Sequence, residues 1–134
     1  MAEHNRLGTI GEEAAWLLLN EKGYRLLERN WVCGKKEIDI ICQDHGYVVF
    51  VEVKTRSEDS PYTPHMAMDR RKIYNLVVAA NCYIHQTKSL LKARFDLVDV
   101  IRLKDGSLEL KHIISAFHPP MMRQTYKSLN RRKH

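Results

Sequence analysis

Three side chains in the middle of the chain have the types and spacing for phosphoryl chemistry. They are Asp39 in Glu37-Ile38-Asp39-Ile40-Ile41-Cys42, and Glu52 and Lys54 in Tyr47-Val48-Val49-Phe50-Val51-Glu52-Val53-Lys54. Both stretches are rich in β-branched residues, and Gln43-Asp44-His45-Gly46 between them is a short turn containing glycine. Two such strands around such a turn predict a hairpin. If His45 and Gly46 form the loop, Asp44 pairs with Tyr47. Asp39 then lies opposite Glu52, and Glu37 opposite Lys54. Opposed residues share a face, with Cβ atoms about 4.5–5.5 Å apart. Two carboxylates that close repel one another, and a divalent cation between them removes the repulsion. Mg²⁺ suits such a pair, because it takes one or two carboxylates and completes its shell with water and phosphate. Lys54 adds a positive charge on the same face, placed to orient or deprotonate a water or to stabilise charge on a phosphate. An exposed edge hairpin with solvated charges is the plain alternative. The apolar residues 38, 40, 41, 49, 50, 51 and 53 on both faces argue instead for a covered, central sheet.

The elements that must hold this hairpin are readable on either side of it. Leu7, Ile10, Ala14, Leu17 and Leu18 recur at helical spacing and predict a helix over 8–23. Thr9 is the expected N-cap, with Glu12 completing a capping box, and Gly23 closes the helix. Residues 24–32 are expected as a strand. Residues 57–64 read as a loop, and a second helix is predicted from Met66 to Gln86 on the stripe Ile73, Leu76, Val77, Ala80 and Ile84. Phe95–Ile101 and Leu108–Ile114 are expected strands around the turn Lys104-Asp105-Gly106-Ser107. His118-Pro119-Pro120 ends the expected body, and Met122, Tyr126 and Leu129 could form a brief helix beyond it. The order implies one α/β domain over 1–117 around a mixed sheet, followed by a tail over 118–134.

At 134 residues, with 28% charged and 44% hydrophobic side chains, the chain suits a single globular domain rather than a disordered one. No apolar run reaches the ~18 residues of a membrane span. The polar start Met1-Ala2-Glu3-His4-Asn5-Arg6 carries no secretory signal, so the expected compartment is the cytoplasm, with no membrane partner. Cys33, Cys42 and Cys82 form no C-x-x-C pair and are expected as free thiols. The net charge of +6 is unevenly spread. The tail holds Arg123, Lys127, Arg131, Arg132 and Lys133 and no acid, whereas the body is almost neutral. Basic tails bind polyanions or only solvate a chain end, and both readings stay open.

The hairpin resembles the D…(D/E)-x-K motif of the restriction-endonuclease-like nucleases. More narrowly, the chain resembles the YraN-like family, related in fold to the archaeal Holliday-junction resolvases. The likeness spans most of residues 7–117. It rests on Leu7-Gly8, Gly11-Glu12 with Ala15, Gly23-Tyr24, Arg29-Asn30, Glu37-Ile38-Asp39, Phe50 to Arg56, Ala67, Lys72, Arg94-Phe95-Asp96 and Ala116-Phe117. It departs from the pattern at Ile38, where the superfamily has proline, and at Lys36, where the family has a small residue. The resemblance implies an αβββαβ core. It recruits Glu12 on the first helix as a further metal ligand, places Arg56 and Lys72 at positions suited to phosphates, and includes Glu37, whose opposition to Lys54 suggests that it positions the lysine.

The expectation is therefore a metal-dependent endonuclease acting on DNA, branched DNA included, with Mg²⁺ or Mn²⁺ as cofactor. Asp39, Glu52, Lys54 and Glu12 would be catalytic, the three acids binding the metal. Lys35, Lys36, Arg56, Arg70, Arg71, Lys72 and the five basic tail residues would hold the nucleic acid. A homodimer stays open. The rivals are a non-catalytic nucleic-acid-binding module of the same fold and a protein-interaction adaptor docking through its tail.

Overall fold

A computed structural model describes residues 2–61 and 68–117. The expected tail and its brief helix lie outside the described residues, as do residues 62–67. Among the described residues, two helices flank a five-stranded mixed sheet. Helix α1 spans Ala2–Glu21, and strands β1 (Arg25–Cys33), β2 (Lys36–Asp44) and β3 (Tyr47–Ser57) follow. Helix α2 (Arg70–Thr87) then leads to β4 (Lys92–Arg102) and β5 (Leu108–Ile113). The strands lie side by side in chain order. β3 and β4 are parallel, joined by the crossover through α2, and the other neighbouring pairs are antiparallel. This is the expected αβββαβ core with one more strand at its edge. No helix among the described residues is long and apolar enough to cross a membrane.

Period-two alternation gives the sheet two apolar faces, and each helix covers one. Ala15 and Leu19 of α1 pack with Ile40, Val49, Val51, Val53, Val98 and Val100. Ile73, Leu76, Val77 and Ala80 of α2 pack with Ile38, Ile41, Phe50 and Phe95. β3 is therefore covered on both sides, and Val48 to Val51 are fully buried. The three cysteines are free, Cys42 buried and the others half-buried.

One expectation about α1 needs correcting. The helix starts well before Thr9, so Thr9 and Glu12 are interior positions and form no capping box. Its close is as expected, at Gly23, whose φ of 89° suits glycine best. α2 begins at Arg70 rather than at Met66, because the Asp69 side chain accepts the backbone N–H of Lys72 at 2.9 Å and caps the helix there. Gly11 of α1 packs directly on β3, where an added Cβ would collide with the side chain of Thr55. The helix axis can come this close only because position 11 has no side chain.

A buried polar network ties β4 to its neighbours. The Asp96 carboxylate accepts two bonds from Arg94, at 3.0 Å each, and one from the Ser115 amide at 3.1 Å, and lies 2.8 Å from His112 Nε2. Arg94 also donates to Asp44 at 2.8 Å and to the Tyr24 hydroxyl at 2.7 Å. Burial alone would raise the Asp96 carboxyl. His112 and Arg94 outweigh it and hold the group below its ordinary range. Arg94, Asp96 and Tyr24 thus have a structural use.

Candidate functional site

The hairpin register is the expected one from Asp44↔Tyr47 to Ile40↔Val51, where the paired ladder ends. The next step would have been Asp39 against Glu52. There the backbone of β2 breaks its alternation, with Ile38 packed in the α2 cluster and Ile40 in the α1 cluster. The Val53 amide, which faces β2, donates to Asp39 Oδ2 at 2.8 Å instead of to a β2 carbonyl. The two strands part at the point where the carboxylates need room, and the Asp39 side chain closes the gap.

Glu52 points to the α2 side of the sheet, where Lys72 Nζ lies 2.9 Å from Glu52 Oε1. The Glu52 side chain is only 8% exposed and that of Lys72 is 41% exposed, so the pair bridges the interior and the rim of the site. Asp39 is felt from several directions. Burial pushes its carboxyl up to about 8, and Glu52 and Glu12 add to the rise while the Val53 amide and Lys72 oppose it. Burial also raises Glu52, against the pull of Lys72 and Lys54. For Lys72 burial acts downward, and the carboxylates of Glu52 and Asp39 more than offset it, so the ammonium is held. The site is a pair of acids, Glu52 buried and Asp39 half-buried, that draws a cation. The cation beside it here is the protein's own lysine.

Glu12 approaches from α1. It lines a cavity of about 160 Å³ with Leu7, Gly8, Val53, Lys54 and Thr55. Burial and the nearby Glu37 raise its carboxyl, with Arg29 opposing. Between Glu12 and Glu37 stands Asn30. With its amide nitrogen turned toward the acids, it donates to Glu37 Oε1 at 3.0 Å and to Glu12 Oε2 at 3.3 Å. Asn30 sits at φ 49°, a left-handed conformation that asparagine tolerates better than most residues. Glu37 is thus placed against Asn30, and its pairing with Lys54 lies beyond the end of the ladder. Lys54 is close enough to lower the Glu52 carboxyl.

Among the described residues, no three His, Cys, Asp or Glu side chains converge tightly enough to hold a metal by themselves. Asp39, Glu52 and Glu12 share one electrostatic neighbourhood without forming a closed cage. That donor set still fits Mg²⁺ or Mn²⁺, whose usual protein share is one or two carboxylates and whose remaining ligands are water and substrate oxygens. An ammonium drawn to the same acids supports the fit.

The cations expected at nucleic acid fall into three groups. Lys35, in the β1–β2 turn, and Arg70 and Arg71, in the first turn of α2, are exposed, and Lys36 beside them is half-buried. Lys72 is held by Glu52. Arg56 is only 16% exposed and makes a twofold bond to the buried Asp99, at 3.2 Å for each contact. Its partner is inside the protein, since an unpaired Asp99 carboxylate there would be costly. Arg123, Lys127, Arg131, Arg132 and Lys133 lie outside the described residues. Two participants were not assigned from sequence: Asn30 as the bridge between two acids, and Lys72 as counter-ion to Glu52. For Asn30 the available signal was an Asn between strand residues. For Lys72 there was none, because only the α2 crossover brings it over the hairpin.

A model of an uncharacterised protein family, UPF0102, matches residues 11–100. Over 121 residues the chain is 42% identical to a UPF0102 protein of Bacteroides thetaiotaomicron, covering 90% of this chain and 99% of that one. It is 37% identical to one from Phocaeicola vulgatus with the same coverage. A UPF0102 protein of Porphyromonas gingivalis is 36% identical over 134 residues, 99% of this chain and 98% of its own.

Proposed function

The chain belongs to the uncharacterised protein family UPF0102, within the restriction-endonuclease-like superfamily, and from that premise we propose that it is a metal-dependent endonuclease acting on DNA phosphodiester bonds. The pair Asp39 and Glu52 carries this reading: a half-buried and a buried carboxylate, at the point where β2 and β3 part, with an ammonium drawn to them. A purely structural protein gains nothing from such a pair. Asp39 and Glu52 would hold Mg²⁺ or Mn²⁺, which when bound supplies an activated water and neutralises charge on the phosphate. Lys54, which lines the same cavity as Glu12, holds the attacking water or donates to a phosphate oxygen as charge develops there. Glu12, steadied by Asn30, accepts a hydrogen bond from the same water. Lys72 balances the acids in the resting protein and turns to the phosphate when Glu52 is engaged. Lys35, Lys36, Arg70 and Arg71 contact the backbone at the rim, which gives affinity without sequence preference. The likeness to archaeal Holliday-junction resolvases makes branched DNA the first substrate to try.

The test is nicking of supercoiled, linear and four-way-junction DNA with Mg²⁺ or Mn²⁺, with chelator as control, by the parent and by Lys54→Ala. Cleavage by the parent is expected only with metal. Lys54→Ala should lose ~10²–10³ in rate, since one preorganised group at a site of charge development has about that effect. Its DNA and metal affinities should stay near the parent's, because the lysine acts on the transition state. A folded Lys54→Ala protein that cuts at the parent rate would remove the lysine from the mechanism. The second reading, a non-catalytic DNA-binding module, is favoured by the Lys72–Glu52 pair, which already balances part of the site's charge. It takes over if the parent binds these DNAs and cuts none.

A further inference from the structure

Alongside the acid site runs a second, larger depression. Its volume is about 420 Å³, and it is lined by Arg6, Leu7 and Ile10 of α1 and by Arg102, Gly106 and Leu108 at the β4–β5 turn. Leu7 also lines the smaller cavity that Glu12 and Lys54 line, so the two adjoin at one side chain. Arg6 and Arg102 are exposed, and neither has a carboxylate partner among the described residues. Of the acids near the β4–β5 turn, Asp105 is exposed beside Gly106 and accepts the Ser107 amide at 2.9 Å. Glu58 accepts the Lys104 amide at 3.1 Å, and Asp59 lies 4.0 Å from Lys104 Nζ. Leu7, Ile10 and Leu108 make an apolar floor, with Ile10 half exposed. Gly106, at φ 88°, puts no side chain into the opening.

We propose that this groove seats the backbone of one DNA strand next to the phosphodiester at the acid site, with Arg6 and Arg102 on its phosphates and the apolar floor against its sugars. The proposal rests on the nuclease reading above and adds the path of the strand. Two guanidiniums without a carboxylate partner among the described residues, at a groove with an apolar floor, match the alternation of charge and hydrocarbon along a nucleic-acid backbone. Arginine suits phosphate because it can donate two parallel hydrogen bonds. None of the lining residues is aromatic, so bases have no stacking platform there and the groove reads backbone rather than sequence. Its position beside the cavity of Glu12 and Lys54, with Leu7 as the shared wall, puts the contacted phosphates next to the reacting one, where fixing them sets the strand's approach.

The experiment uses the full chain with Arg6→Glu, Arg102→Glu and the control Arg102→Lys, each checked by thermal melting. Binding of a fluorescein-labelled single strand and of its duplex is read by anisotropy in chelator, where no cutting occurs, over a salt series. Nicking with Mg²⁺ is read separately. Each charge reversal should weaken binding roughly tenfold at low salt and lower the slope of log K against log salt by about 0.7–0.9 for every phosphate the protein ceases to neutralise. Arg102→Lys should keep most of the slope. The Mg²⁺-induced shift in melting temperature should match the parent's, because neither arginine faces Asp39 or Glu52. Reversal variants that bind with the parent's affinity and slope overturn the groove, whether or not the parent cuts. Reversals that weaken binding in a parent that cuts nothing support the groove and overturn only the nuclease reading. A labelled RNA strand bound more tightly than DNA, with the same dependence on Arg6 and Arg102, would overturn the DNA assignment.

Discussion

Asp39 is the residue on which most depends. Its carboxyl is raised from an ordinary 3.8 to about 8, first by burial and then by Glu52. A carboxyl raised on folding binds its proton more tightly in the folded state. Its contribution to stability is therefore full below pH ~4 and lost as the pH rises through ~8. Asp39→Asn keeps an oxygen for the Val53 amide and has nothing to ionise. In chelator, its melting temperature should match the parent's near pH 4 and exceed it near pH 8, by about 5 °C or more. Mg²⁺ at the higher pH should stabilise the parent and leave Asp39→Asn unmoved, because a ligand that binds only the folded state raises its stability. A gap that does not change between the two pH values would mean that Asp39 is ionised without penalty and that the site makes no demand for a cation.

Among the elements, the approach of α1 to β3 decides where Glu12 stands. Gly11, one residue earlier, is buried against Thr55. Two effects oppose each other in Gly11→Ala. Alanine favours an interior helical position by about 1 kcal/mol. Forcing a methyl into a packed contact costs about 1–3 kcal/mol. Thr55 meets the new Cβ with its own Cβ as well as its hydroxyl, so rotation of the side chain gives little relief and the clash should win. Urea unfolding of Gly11→Ala should show a net loss of about 1–2 kcal/mol. In a Thr55→Ala background the same change should cost little, the mark of a direct contact. A Gly11→Ala protein more stable than the parent would show that the helix has room to move, and that Glu12 is held by something other than close packing.

For the whole molecule, the governing fact is the separation of charge. Almost all of the net +6 belongs to residues 118–134, while the body combines the acids of β2 and β3 with exposed cations around them. A basic segment on a near-neutral domain adds long-range attraction to a polyanion with no demand on shape. Deleting residues 121–134 should weaken DNA binding and lower the salt slope by roughly 0.9 for each duplex phosphate that the tail had neutralised. It should leave the Mg²⁺-induced melting shift as it was. An unchanged slope in the truncated protein would assign DNA binding wholly to the folded body.

What the sequence determined by itself was whatever depends on neighbours along the chain. The alternation around Asp39 and Glu52, the turn at His45-Gly46 and the helical stripes reveal the elements, and the hairpin register follows from the turn. The start of α1 is misleading in sequence because Thr9 and Glu12 have the spacing of a cap, and nothing local says that the helix already runs through them. The tertiary structure alone decided which charges meet. Lys72 lies 20 residues after Glu52 and reaches it only because the crossover from β3 to parallel β4 lays α2 over that face of the sheet. Arg56 finds Asp99 across the β3–β4 pair, and Asn30 on β1 comes between Glu37 on β2 and Glu12 on α1. The physical reason is range. Backbone conformation is set by sterics and hydrogen bonds within a few residues, whereas the partner of a buried charge is set by which elements the hydrophobic faces bring together.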